Sequence, residues 1–115
     1  MDEAAEKPLF WIGSSYADVL AFPEEIRRLA GFQLGKVQAG LDPDDWKPFG
    51  QVGAGTRELR LRDEAGAWRV MYVAKFEEGI YVLHCFQKTT RATSQHDKDI
   101  AEARYRAVVA RRAAP

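Results

Sequence analysis

The sequence contains a single cysteine, Cys85, among its 115 residues, so it can form no internal disulfide. This usage fits a reducing compartment. No apolar stretch approaches the ~20 residues that a membrane span needs. The first residues are acidic and lack the apolar core of a secretory signal. We therefore expect a cytoplasmic protein that does not bind a membrane.

The chain also has no net charge, but its charges are unevenly distributed along the sequence. Residues 1–45 hold nine acidic and four basic residues, whereas residues 57–91 hold seven basic and five acidic residues. A neutral protein can still bind a polyanion if its basic residues converge on one face. The composition therefore leaves nucleic-acid binding open.

Patterns for metal or cofactor binding are missing from the sequence. No pair of Cys and His has metal-ligand spacing. Gly50, Gly53 and Gly55 do not form a phosphate-binding loop, because no Gly-Lys-Ser/Thr sequence follows them. We therefore predict that the protein uses no metal and no other cofactor.

The length and the 46% hydrophobic content predict one domain over residues 1–115, with residues 1–7 disordered. The apolar run 9–12 predicts a strand. Ser15 and Asp18 indicate the start of a short helix, and Pro23 suits the first position of a second helix. Two glycines interrupt this second helix, where they would allow close packing on a sheet. They are Gly31 and Gly35.

Turn-forming residues fill residues 42–55 and predict a loop. Residues 57–62 then alternate, which puts Leu59 and Leu61 on one face of a strand and Arg60 and Arg62 on the other. Further strands are predicted at 68–75 and 80–87, and a C-terminal helix from about Lys98. The predicted fold is α+β, in the order β-α-α-β-β-β-α.

Basic residues are expected to meet on the polar face of these strands. The candidates are Arg60, Arg62, Arg69 and Lys88, with Arg91 and His96 just beyond the last strand. Helices must cover the face that carries Leu59 and Leu61, so the opposite face would be free to form a concave basic site. The ordinary alternative is a solvated polar surface.

Such a site suits RNA, because a guanidinium binds a phosphate through two parallel hydrogen bonds. RNA cleavage requires an aligned 2′-hydroxyl, a base that accepts its proton, and positive charge near the transition state. Neighbouring cations lower the pKa of a lysine, so Lys88 is a candidate base. His96 is a candidate proton shuttle. His84, in an apolar strand, is expected to be a structural histidine.

Several sequence segments are distinctive when taken together. They are GAGTRELRLR at 53–62, WRVMYVA at 68–74, VLHCFQKTT at 82–90 and the following Asp99-Ile100-Ala101. With Trp46-Lys47-Pro48, these segments resemble the phage-derived, HigB-like branch of the RelE/ParE toxin superfamily, in the same order over nearly the whole chain.

This resemblance implies a curved antiparallel sheet flanked by helices. It implies a type II toxin that cleaves mRNA, usually on the ribosome, without a metal, and a helix-turn-helix antitoxin as partner. It assigns Arg60, Arg69 and Lys88 to catalysis at the scissile phosphate. The chain departs from the family at Thr89, where a second lysine is usual, and at Glu58, where ribosome-dependent relatives have a basic residue.

Two other functions remain compatible with the same sequence. One is a ParE-like toxin of the same fold that acts on DNA gyrase by protein contact. The other is an inactive phage-derived module that only binds the antitoxin. The convergence of Arg60, Arg69 and Lys88 favours the nuclease.

Overall fold

The computed structural model describes residues 6–115, in which three helices flank a sheet of five strands. The elements are β1 (Leu9–Trp11), α1 (Ser15–Leu20), α2 (Glu24–Gln38), β2 (Trp46–Pro48), β3 (Thr56–Asp63), β4 (Gly66–Val73), β5 (Ile80–Lys88) and α3 (Gln95–Ala113). The strand order is β1-β5-β4-β3-β2. β1 is parallel to β5, and the other neighbours are antiparallel. The predicted α+β class is confirmed.

The largest departure from the predicted elements is β2, which lies inside the segment predicted as a loop. Trp46 and Pro48 of this strand are in register with Leu59 and Arg57 of β3. A three-residue strand is too short to show a period, and a proline is tolerated at the edge of a sheet. The turn-forming residues therefore concealed an edge strand.

The helices also begin and end at slightly different residues from those predicted. α3 begins at Gln95 rather than near Lys98, because the Ser94 hydroxyl accepts a hydrogen bond from the Asp97 amide and caps the helix. α2 ends at Gln38, and Gly40 follows with a φ of 84°, a conformation that favours glycine.

Helices cover both faces of the sheet, but to different extents. α1 and α2 cover the face that includes Leu59 and Leu61, which are buried as predicted. On the opposite face, α3 and the residues after β2 bury a second cluster. Its members are Phe49, Val52, Met71, Leu83, Phe86, Ala101 and Val108. The expectation that this opposite face is free is therefore wrong, because it also carries apolar residues that need α3 as a cover.

The structure also corrects the expectations about the two glycines of α2 and about the N-terminal segment. A Cβ at Gly31 or Gly35 would have no neighbour within 4 Å, so neither glycine serves close packing on the sheet. Lys7, at the end of the range expected to be disordered, donates hydrogen bonds to the carbonyls of Gln38 and Ala74. Residues 1–5 of that range lie outside the described residues.

Candidate functional site

Strand register brings the basic residues together at one end of the sheet. Arg60 of β3 is opposite Arg69 of β4, Ala67 of β4 is opposite Lys88 of β5, and Lys47 of β2 is opposite Glu58. Because side chains alternate along a strand, these basic residues share the face that α3 only partly covers. We call the following five the cationic cluster: Lys47, Arg60, Arg62, Arg69 and Lys88.

Exposure divides the cationic cluster into accessible and buried members. Arg62 is exposed, and the Arg60 side chain is 32% exposed, with its Nε 3.6 Å from a carboxylate oxygen of Asp45. Lys47 and Lys88 also reach solvent. Arg69 is only 4% exposed and donates a hydrogen bond to the carbonyl of Trp68. Four members can therefore meet a ligand directly, and Arg69 lies beneath them.

A buried carboxylate, Glu58, lies under the cationic cluster. Its side chain is fully buried. One carboxylate oxygen lies 3.6 Å from Arg69 Nε and 3.8 Å from Lys47 Nζ. The other oxygen accepts a hydrogen bond of 2.8 Å from the Thr93 hydroxyl. Glu58 thus links β2, β4 and the segment that follows β5.

The pKa values of the cluster reflect this crowding. Partial burial lowers the pKa of Lys88, and the positive charges of Arg69, Lys47 and Arg60 lower it further, against an opposing effect of Glu58. Burial also lowers the pKa of Arg69, with Glu58 opposing. An arginine remains charged despite such a shift. Lys88 is thus the member of the cluster whose neutral form becomes more accessible.

The remaining predicted site residues lie outside this contact network. Arg91 and His96 are exposed, and neither side chain contacts the cationic cluster through an ion pair of the described residues. His84 is buried, and its Nε2 lies 2.7 Å from an oxygen of Asp97 in the first turn of α3. Its ring stacks on Phe86. Burial lowers the pKa of His84, although Asp97 opposes the shift. His84 thus joins the sheet to α3.

Sequence patterns did not identify Lys47 or Thr93 as members of the site. Lys47 comes to the cluster through β2, which the turn-forming residues around it concealed. Thr93 lies in an irregular segment, and only its bond to Glu58 shows its place. For Lys47 the available signal was its inclusion in the Trp46-Lys47-Pro48 segment of the family resemblance. For Thr93 the sequence offered none.

Two other features, a group of metal ligands and a membrane-spanning helix, are not found in the described residues. Between residues 6 and 115, no three His, Cys, Asp or Glu side chains converge as metal ligands would. Over the same range, no helix combines the length and the apolar character needed to cross a bilayer. The arrangement offers cationic groups, one lysine with a depressed pKa and a buried carboxylate.

Fold and site together define a small α+β domain whose sheet is partly covered by α3 on one face and carries a cationic cluster on the same face. The model of one protein family, described as "Phage derived protein Gp49-like (DUF891)", matches residues 17–106. The chain belongs to this Gp49-like family. The phage-derived part of the resemblance is thereby confirmed, while the specific RelE/HigB branch stays a prediction. The comparison with curated proteins finds no match.

Proposed function

We propose that the protein is a metal-independent endoribonuclease that acts as the toxin of a type II toxin–antitoxin system, with mRNA, on the ribosome, as its substrate. The observation that carries this proposal is the cationic cluster, in which Lys88 has a depressed pKa beside the accessible Arg60. Phage-derived family membership and the resemblance to HigB-like toxins support it.

In this proposal the accessible arginines hold the scissile phosphate. Arg60 and Arg62 lie two positions apart on β3, on the same face, and offer paired donors to phosphate oxygens. They would offset the charge that develops on the phosphate oxygens in the transition state. Arg91 and His96 would contact RNA outside the cluster, since both are exposed.

Lys88 would act as the base in its neutral form. It accepts the proton of the 2′-hydroxyl, the 2′-oxygen forms a bond to phosphorus, and the bond from phosphorus to the 5′-oxygen breaks. The products are a 2′,3′-cyclic phosphate and a 5′-hydroxyl. The leaving 5′-oxygen takes its proton from water. No metal is required, because the cationic cluster supplies the positive charge.

The assignment of Arg69 to catalysis stays a prediction, and the structure suggests how it would act. Its guanidinium is buried against Glu58, so it would not reach a phosphate without a rearrangement of its side chain. From its present position it contributes through its charge, which lowers the pKa of Lys88. Lys88 and Arg60 are therefore the residues proposed to touch the reacting atoms.

The test of nuclease chemistry replaces Lys88 with arginine, whose side chain stays protonated near neutral pH. Lys88→Arg keeps the charge but cannot deprotonate near neutral pH, so RNA cleavage should fall about 10²-fold or more. In the natural protein, cleavage should rise with pH until the lowered pKa of Lys88 is passed, and this rise should be absent in the variant. Lys75→Arg, at an exposed lysine outside the cluster, is the matched control.

Cleavage is followed by mapping transcript 5′ ends after induction and by assaying purified protein with and without ribosomes. Equal activity of Lys88→Arg and the natural protein would exclude Lys88 as the base. A DNA-damage response without new transcript ends would instead favour the gyrase-directed alternative. No effect on growth or RNA would favour an inactive binding module.

The proposed partner is a helix-turn-helix antitoxin encoded beside this chain. A free nuclease of this kind would harm its host, so an inhibitor is expected. Co-expression of the neighbouring gene should restore growth, and the two proteins should co-purify. A toxic chain that binds no neighbouring gene product would instead act as an independent nuclease.

A further inference from the structure

The two edge strands of the sheet, β2 and β1, differ in how strongly their residues discourage pairing with a further strand. At one edge, β2 carries Lys47 and Pro48, and both residue types discourage the addition of another strand. At the other edge, β1 has the sequence Leu-Phe-Trp, without a charge or a proline. Among residues 6–115, β1 pairs only with β5. The β1 edge is therefore open in the described part of the chain.

Hydrogen bonds show which backbone groups of β1 point outward. The Pro8 carbonyl accepts from the Ile80 amide, and the Ile12 amide donates to the Val82 carbonyl. Because bonding direction alternates along a strand, Leu9 and Trp11 direct their N–H and C=O groups away from β5. Within residues 6–115, no hydrogen bond occupies these main-chain donors and acceptors, so they can pair with a further strand.

A groove flanks this edge on each face of the sheet, and Leu9 and Trp11 line both grooves. The first, of about 160 Å³, lies between β1 and helices α1 and α2. Its walls are almost entirely apolar and include Val19, Ala30, Gly31 and Leu34. Tyr16 and Leu20, which are 51% and 45% exposed, stand at its rim. We call it the apolar groove.

The second groove, of about 560 Å³, lies on the α3 side of β1. Phe10, Ile12 and Tyr81 form its apolar part, and Arg111 and Arg112 lie at its other side. Arg112 is paired with Glu78, which leaves the charge of Arg111 without a partner among the described residues. We call it the basic groove. Its charge favours an acidic occupant.

We propose that the outer edge of β1 docks an extended segment of a partner protein in which apolar and acidic residues alternate. Added strands bind through main-chain hydrogen bonds, while successive side chains enter opposite sides of the sheet. Apolar side chains of the segment enter the apolar groove, and acidic side chains enter the basic groove. That this partner is the antitoxin rests on the proposed function, whereas the docking edge itself does not.

A synthetic peptide tests this edge without RNA. The probe has about seven residues, with leucine or valine alternating with glutamate, and its binding to the full chain is measured by fluorescence anisotropy. Two N-methylated versions each block one alternate set of backbone N–H groups. One version should lose binding and the other should keep it, since only one set faces Leu9 and Trp11. Equal behaviour of the two versions, or no binding of the probe at millimolar concentration, would overturn the proposal.

The chain offers a matched pair of variants on α2. A Cβ at Gly31 or at Gly35 meets nothing within 4 Å, so both positions should tolerate glutamate. Gly31 lines the apolar groove and Gly35 does not. Gly31→Glu should weaken peptide binding by about tenfold or more, and Gly35→Glu should leave it unchanged. Equal effects of the two substitutions would contradict the proposed site.

The same variants distinguish a partner protein from a second copy of the chain as the occupant of the β1 edge. They also test the docking edge independently of the proposed nuclease activity. A concentration-dependent dimer that Gly31→Glu abolishes would assign the edge to a second copy of the chain and overturn the proposal. If the neighbouring gene product neutralises the toxin, Gly31→Glu should abolish neutralisation while toxicity persists. Peptide binding by a chain without nuclease activity would support the edge and refute the nuclease.

Discussion

At the scale of single residues, Glu58 determines which basic residue of the cationic cluster is buried. Burying a carboxylate costs several kcal/mol unless nearby partners compensate. Glu58 has three such partners, Arg69, Lys47 and Thr93. The carboxylate therefore explains why an arginine of the cluster is buried rather than directed to solvent.

Removing Arg69 alone should destabilise the protein, because it would leave Glu58 buried without its closest charged partner. We expect Arg69→Ala to lower the free energy of unfolding by about 3–5 kcal/mol, as judged by urea denaturation. The double variant Arg69→Met with Glu58→Gln should recover most of this loss, since neither buried charge remains. A single variant as stable as the natural protein would contradict this interpretation of the pair.

The same comparison separates a structural from a chemical role for Arg69. If the stable double variant also loses RNA cleavage, the charge of Arg69 is needed for the reaction. If cleavage survives, Arg69 and Glu58 serve only to support the sheet. Toxicity of Arg69→Ala alone does not answer the question, because an unfolded chain is also inactive.

The alternation in β3 leads to a second prediction at this scale. Leu59 is fully buried against the α1–α2 layer, so Leu59→Ala should leave a cavity and cost about 2–5 kcal/mol of unfolding free energy. Leu20→Ala is the matched control, because Leu20 is 45% exposed and the loss of its side chain should cost much less. Similar losses for the two variants would mean that burial does not distinguish these leucines.

At the scale of elements, the start of α3 connects the helix to the sheet. Ser94 caps the helix through the Asp97 amide, and its hydroxyl also donates a hydrogen bond to the Asp97 carboxylate. Asp97 in turn contacts His84 of β5. The capping residue, the first turn and the strand thus form one polar connection.

Loss of this cap should have a measurable cost. Ser94→Ala removes the acceptor for the Asp97 amide and should lower the unfolding free energy by about 1 kcal/mol. Ser94→Thr keeps a hydroxyl acceptor and should recover most of the stability. Identical urea midpoints for Ser94→Ala and the natural protein would show that another group satisfies the amide.

Strongly periodic elements could be predicted from the sequence, and short or irregular ones could not. The alternation of β3 and the apolar runs of β4 and β5 defined three strands and the faces of Leu59 and Arg60. β2 has only three residues, and Pro48 argues against a strand unless the strand is at an edge.

The pairing of β4 with β5 shows a second limit of pattern analysis. Its register shifts between Met71 and Tyr72, so that Leu83 and His84 are not placed by simple alternation. Likewise, Lys47 and Thr93 join the cluster only through tertiary contacts with Glu58. The alternation within a strand carries no signal for contacts that depend on a short or irregular segment.

At the scale of the whole molecule, zero net charge conceals a local excess of positive charge. The cationic cluster has five basic residues, and the carboxylates of Glu58 and Asp45 lie against it. Within the cluster itself, these charges leave an excess of three positive charges, whereas Asp63 and Glu64 lie at the turn that joins β3 to β4. Strand β1 pairs with the other end of β5, at Ile80 and Val82. A partner docked at the outer edge of β1 therefore need not cover Lys88, which lies at the far end of β5.

This local excess should determine how RNA binding responds to salt. A single-stranded RNA that meets about three uncompensated charges should lose affinity with a slope near −2 in a plot of log K against log salt concentration. Arg62→Ala removes an exposed member of the cluster and should make the slope shallower by about 0.7. Arg106→Ala, on the exposed side of α3, is the control and should leave the slope unchanged. The measurement is a salt titration of binding to a non-cleavable RNA analogue with 2′-O-methyl groups. A slope near zero, or equal slopes for the Arg62 and Arg106 variants, would show that RNA does not bind at the cationic cluster.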